Sequence, residues 1–126
     1  MSAPSRRSPW LVVAGLLGAT GIALGAFGTH ALRGKLPPAV FSPWETAVHY
    51  QLVHALALLV LGAYASSSGR SVALPAGLFT AGISLFAGSL YLLVGLGWSG
   101  AGLAAPLGGT LLIAGWLSLL RKGTDP

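Results

Sequence analysis

The sequence predicts an all-α integral membrane protein, a four-helix bundle running up-down-up-down, and three observations predict it. Hydrophobic residues make up 54% of the 126 and charged residues only 7%, whereas soluble domains carry about 25% charged side chains. The mean hydropathy of +0.79 is more than the surface of a soluble domain this small can absorb. The apolar residues also fall into long runs, at about residues 11–31, 44–65, 72–96 and 102–120. Each run reaches or approaches the ~20 residues that cross ~30 Å of hydrocarbon. Backbone polar groups have no water to bond there, so each run is expected to be a helix that satisfies its own backbone. At this length the chain is one transmembrane domain, residues 1–126.

The chain opens on a polar stretch with Arg6 and Arg7. A signal peptide is the first alternative for the apolar run behind it. The apolar region of such a peptide is ordinarily ~7–15 residues, however, and the run from Trp10 to Gly28 is longer. In that first helix Ala14, Gly18, Gly21, Gly25 and Gly28 recur at spacings of three and four, which puts small residues on one stripe. Such a stripe lets two backbones approach closely in lipid. A phosphate-binding loop is excluded for these glycines, since no strand precedes them and no Gly-Lys-Ser/Thr ending follows.

Arg33, Gly34, Lys35, Pro37 and Pro38 form the next turn. Helix two is expected from about Trp44, with Ser42 or Pro43 near its start and Glu45 in the favourable first turn. The stretch from Ser66 to Ser71 is a turn, and Pro75 sits in the first turn of helix three, where proline is tolerated. Gly77, Ala81, Ser84, Gly88 and Gly95 make a second small-residue stripe, with Tyr91 in its missing place. After an uncharged turn at residues 97–100, helix four carries Pro106, Gly108, Gly109 and Gly115.

Charge sets the expected orientation. Arg6, Arg7, Arg70, Arg121 and Lys122 share one side of the bilayer, and only Arg33 and Lys35 lie on the other. The more basic side is cytoplasmic by the positive-inside rule, which puts both termini inside. The net charge of +5 arises at segment ends and forms no basic face, so lipid is the expected partner and nucleic acid is not. The small-residue faces leave a homo-oligomer open. The chain has no cysteine, which removes thiolate metal sites and covalent haem attachment.

Helix two carries the polar residues into the bilayer. Glu45 and His49 are one turn apart on one face, and Tyr50 and His54 share another, with Gln51 beside them. His30, at the end of helix one, falls at a similar depth to Glu45 and His49. A zinc or iron site from His30, Glu45 and His49 lacks the His-Glu-x-x-His signature and is weighed against a simple interfacial pair, which is preferred. Haem between His30 and His54 fails on depth. No metal or cofactor is therefore assigned. An ionisable group inside a membrane is a functional candidate by default, so His54 stands between two readings. One is a core histidine hydrogen-bonded to Tyr50, Gln51, Tyr91 or a helix-three serine such as Ser84 or Ser89. The other is a step on a solute or proton path.

Four stretches together carry a resemblance: GAFGTHAL at 25–32, ETAVHYQLVHALAL at 45–58, FAGSLY at 86–91, and PLGG at 106–109 followed by Gly115 and Trp116. The chain resembles the domain of unknown function 423 family of small bacterial inner-membrane proteins, to which eukaryotic transmembrane protein 256 is similar. The resemblance spans about residues 10–120. It implies a four-helix membrane protein with no established biochemical activity. It also marks His30, Glu45, Tyr50, Gln51, His54, Ser89, Tyr91, Gly108 and Gly109 as matching the family pattern. Thr29 stands where the family often has alanine, and His49 is not a characteristic position, which weakens the metal trio.

The expected function is a non-enzymatic inner-membrane protein that binds a small molecule or lipid in an outer-facing polar pocket. His30, Glu45, Tyr50, Gln51, His54, Ser89 and Tyr91 are its candidate residues. A subunit of an oligomeric transporter or channel, and a metal- or cofactor-binding membrane protein, are the alternatives. No nucleophile, base and orienting group occur together, so catalysis is not expected.

Overall fold

A computed structural model describes residues 8–124. Arg6 and Arg7, which enter the expected orientation, lie outside the described residues. The elements are α1 (Pro9–Phe27), which continues into a π-turn (Gly28–Leu32), then α2 (Pro38–Ser68), α3 (Ala73–Gly95), a 3₁₀ segment (Ser99–Ala104) and α4 (Ala105–Thr124). Four helical spans are long and apolar enough to cross a membrane, in agreement with the expected all-α membrane bundle. Val12, Leu16, Ile22, Leu56, Val60, Ile113 and Leu117 are among many large apolar side chains left exposed. In water they would form a patch prone to association. In a bilayer they are the lipid face.

Helix two starts earlier than its sequence pattern indicates. Pro38 occupies the first helical position, where a fixed φ and a missing N–H cost nothing, and Pro43 lies inside the helix. Pro43 removes one backbone bond close to the helix start and does not end it. At 31 residues α2 is about 46 Å long, more than the ~30 Å of hydrocarbon. That length leaves its Pro38–Phe41 start and its Ser66–Ser68 end for the interfaces. Gly69, at φ 73°, closes α2 in the left-handed conformation that glycine adopts without strain. The fourth span likewise begins before residue 102, in the 3₁₀ turn from Ser99.

The helices pack mainly in chain order, α1 on α2, α2 on α3 and α3 on α4. Of the most apolar stretch of each span, 39% is buried in α2 and in α3 but only 17% in α1 and 22% in α4, so α2 and α3 are the central pair. Leu58, Phe79, Ile83 and Ala76 form the main core, joined by Leu112 of α4 and Ala14 of α1. A second cluster of Phe41, Trp44 and Val94 lies at the end that carries the Arg33 turn.

Without a hydrophobic drive between helices in lipid, close backbone approach has to hold them. On α1 the expected stripe does face α2. A Cβ added at Gly21 would stand 2.8 Å from Leu52 Cδ2, one at Gly25 would stand 3.2 Å from Val48, and one at Gly28 would collide with the Trp44 indole. Gly18 is the exception, since nothing lies within 4 Å of its added Cβ. On α3 the expected stripe packs only at one end, where an added Cβ at Gly95 would stand 3.4 Å from the Trp44 ring and Tyr91 bonds Gln51. Gly77 and Gly88 meet nothing within 4 Å, and Ala81 and Ser84 are exposed. The close approach there belongs to Gly82, whose added Cβ would be 3.0 Å from the Gly108 carbonyl oxygen. Gly108 reciprocates by lying against the Phe86 backbone. Large neighbours on the same helix, Phe79, Ile83 and Phe86, set which glycine turns inward, and spacing among small residues alone does not register them.

Candidate functional site

Gln51 is 4% exposed, on the face of α2 that looks between α1 and α3. Its Nε2 donates to the Leu17 carbonyl at 2.9 Å and to Thr20 Oγ1 at 2.8 Å, and its Oε1 accepts from the Tyr91 hydroxyl at 2.7 Å. The carbonyl can only accept, which fixes the amide with nitrogen toward α1 and oxygen toward α3. Thr20 passes the chain on by donating to the Leu16 carbonyl at 2.7 Å. Three helices are thus joined by hydrogen bonds that all run from α3 to α1. Trp44 supports the same junction, since its indole N–H donates to the Leu24 carbonyl at 2.9 Å and its ring meets Tyr91 edge-on at 4.8 Å.

One turn further along α2, His54 is 3% exposed. Its Nδ1 lies 2.7 Å from the Tyr50 carbonyl oxygen, and its Nε2 accepts from the Trp116 indole N–H at 3.1 Å. A carbonyl only accepts and an indole N–H only donates, so the ring is the neutral Nδ1–H tautomer with both nitrogens satisfied. A second proton on Nε2 would face the Trp116 proton directly. The expected hydroxyl partners, Ser84, Ser89 and Tyr91, are not those His54 uses. Ser84 bonds back to Thr80 O and Ser89 to Phe86 O, as serines in helices commonly do, and Tyr91 is committed to Gln51. Phe79 and Trp116 pack on the imidazole at 5.3 and 5.8 Å between ring centroids.

The candidate residues therefore separate into groups. Gln51 and Tyr91 bond directly, Tyr50 and His54 form a neighbouring pair, and Ser89 is buried but joins neither. Glu45 is near the surface, 3.7 Å from Arg33, with the two side chains 56% and 62% exposed. Such a pair contributes only about 0–1 kcal/mol. His30, in the π-turn, and His49 are exposed. Among the described residues no three His, Cys, Asp or Glu side chains come together as a metal site.

Sequence reasoning passed over Thr20, Trp44 and Trp116 as partners. Trp116 had one available signal: an indole N–H inside a membrane span needs an acceptor, and the His54 imidazole, well inside its own span, is one.

Two openings lie on the α1–α2 face. A groove of about 490 Å³ is lined by Leu11, Ala14, Gly15, Gly18, Ala55, Leu59 and other apolar residues. A cleft of about 260 Å³ toward the Arg33 end is lined by Gly25, Thr29, Trp44, Glu45 and His49, among others. Leu52 belongs to both.

Fold and polar interior define a multi-pass α-helical membrane protein whose buried polar groups tie helices together. The family model described as "Protein of unknown function (DUF423)" matches residues 24–109, and the chain belongs to that family. It is 38% identical over 111 residues to a UPF0382 membrane protein of Staphylococcus aureus, covering 88% of this chain and 91% of the relative. It is 43% identical over 101 residues to the UPF0382 membrane protein YwdK of Bacillus subtilis, covering 79% and 82%. No solved structure matches it.

Proposed function

We propose that the chain is a non-enzymatic protein of the bacterial cytoplasmic membrane that seats a membrane amphiphile along the seam between α1 and α2. The observation that carries this reading is that two neighbouring openings on this seam share one wall residue, Leu52. One is wholly apolar and lies within the spans; the other carries Thr29, Glu45 and His49 toward the interface. A volume of about 490 Å³ falls within the ~300–1,000 Å³ of ordinary ligand sites and suits an acyl chain. Arg33 and Glu45, opposite in charge and both well exposed, would meet the headgroup. The polar pocket expected at the outer face is thus narrowed to Glu45, His49 and Thr29, and Gln51, Tyr91 and His54 are left to structural work.

The non-enzymatic reading is supported by the commitment of Gln51 and His54 to other protein groups. The charge distribution supports both termini in the cytoplasm, with lipid and no nucleic acid as partner. A second copy would pack on the open α3 face around Gly77 and Gly88, and any transport would require such an assembly. Native mass spectrometry of gently extracted protein tests these points together. It should show a retained lipid of unaltered mass, and the same spectrum reads the oligomeric state. A protein that flies free of lipid under conditions where other membrane proteins keep theirs would refute the seat.

A further inference from the structure

On the opposite side of α2 from the α1 seam, a separate cleft of about 220 Å³ opens between α2, α3 and α4. Its walls are Tyr50, His54, Phe86, Gly109, Leu112 and Trp116, with Ile113 at the rim. A dry cavity of about 150 Å³ accommodates benzene, so this one takes a single substituted ring. Aromatic faces dominate it. Tyr50 meets Phe86 edge-on at 5.0 Å, and His54 lies between Tyr50 and Trp116 at 6.3 and 5.8 Å.

The polar groups of the cleft are unequal. His54 and the Trp116 indole satisfy each other at 3.1 Å. The Tyr50 hydroxyl, by contrast, makes no hydrogen bond among the described residues. It stands five residues past Glu45 on α2, about 7 Å further along the helix axis and into the bilayer. A phenol O–H at that depth finds no acceptor in hydrocarbon, which leaves it free to donate to a bound molecule. Gly109 keeps the α4 wall open, for an added Cβ there would meet only Phe86 Cδ2, at 3.9 Å.

We infer that this cleft binds a lipid-soluble planar ring bearing a carbonyl oxygen, the quinone class. The ring lies among Tyr50, Phe86 and Trp116, and its carbonyl accepts from the Tyr50 hydroxyl. An apolar tail leaves past Ile113, which is 62% exposed toward lipid. The inference is independent of the amphiphile seat, because the two openings share no residue.

Photoaffinity labelling of the purified full-length protein in lipid nanodiscs, with an azidoquinone as probe and decylubiquinone as competitor, tests it. Labelling should saturate, map to α2 or α4, and fall on competition with decylubiquinone but not with decylbenzene. Tyr50→Phe should weaken it about three- to tenfold, as loss of one hydrogen bond does. Gly109→Leu and Ile113→Phe, which fill the cleft from wall and rim, should each reduce labelling more than tenfold while Val60→Ala, on the exposed face of α2 and in none of the openings described, leaves it unchanged. Two cleft-filling variants guard against one that fails to fold. Labelling that decylubiquinone does not compete, that decylbenzene competes equally, or that survives in a folded cleft-filling variant overturns the inference.

Discussion

Tyr91 on α3 donates its hydroxyl proton to Oε1 of Gln51 on α2 at 2.7 Å, and that same amide donates onward to α1. The direction of every bond in the chain is set by its last acceptor, a main-chain carbonyl. In hydrocarbon no water replaces a lost partner, so each member depends on the others. Interhelical hydrogen bonds in membranes nonetheless contribute modestly, about 0.6 kcal/mol on average and up to about 1.7.

Tyr91→Phe should therefore lower stability in detergent by about 0.6–1.7 kcal/mol. Gln51→Leu should cost more, because it unlinks α1 as well as α3. A double variant should cost less than the sum, since Tyr91→Phe has nothing left to break once Gln51 is gone. Thermal or denaturant unfolding of the four proteins measures the coupling. Strictly additive losses would show that the two side chains do not act as one unit.

His54 offers a sharper contrast between substitutions. Its Nδ1–H and its Nε2 are both used, so an amide that both donates and accepts can take its place. His54→Gln should be tolerated, whereas His54→Leu should cost about 1–3 kcal/mol by stranding the Trp116 indole N–H. Trp116→Phe should in turn relieve part of the His54→Leu penalty. Melting temperatures of the single and double variants check this. A stable His54→Gln protein that has lost its cellular phenotype would instead make the imidazole itself functional.

Much of this architecture was legible beforehand because hydrocarbon is a severe solvent. Composition and run length alone fix the number of spans, and the α1 stripe from Gly21 to Gly28 faces α2 as its spacing implies. The α3 stripe packs only at its Tyr91–Gly95 end, for a physical reason. Small residues permit close approach on whichever face they occupy, but the bulk of Phe79, Ile83 and Phe86 decided that Gly82 would turn to α4 while Gly77 and Gly88 face outward. The start of α2 was missed because Pro43 reads as a boundary, yet so near a helix start it deletes only one bond. Gln51 and Tyr91 could each be picked out as polar residues in a span. That they bond to each other depends on helix rotation, which the pattern of one helix does not carry.

Close packing at Gly82 yields a prediction of its own. Gly82→Leu would drive a side chain into Leu112 and the Gly108 carbonyl, and should destabilise the α3–α4 pair by about 1–3 kcal/mol or more. Gly77→Leu, where an added Cβ meets nothing, should change the melting temperature little in a monomeric preparation. Equal effects from the two would mean that α3 is rotated relative to the described arrangement.

The orientation can be read with single cysteines, because the chain has none of its own. Ser67 and Ser99 lie in exposed segments at opposite ends of α3. An impermeant thiol reagent added to intact cells should label Ser99→Cys and spare Ser67→Cys until the membrane is opened. The reverse pattern would invert the protein, and labelling of both from outside would break the four-span topology.

The amphiphile seat is tested most directly by the lipid occupancy of Gly18→Leu beside its folding stability. Gly18 lines the apolar groove, and nothing within 4 Å of its added Cβ belongs to the protein. A leucine there fills the groove without pressing on α2, whereas Gly21→Leu presses on Leu52 and should destabilise the helix pair. Native mass spectrometry and thermal unfolding of the same sample should show Gly18→Leu melting as the wild type does, with its retained lipid lost. Gly18→Leu that keeps the wild-type melting temperature and the full lipid complement would contradict a seat between α1 and α2.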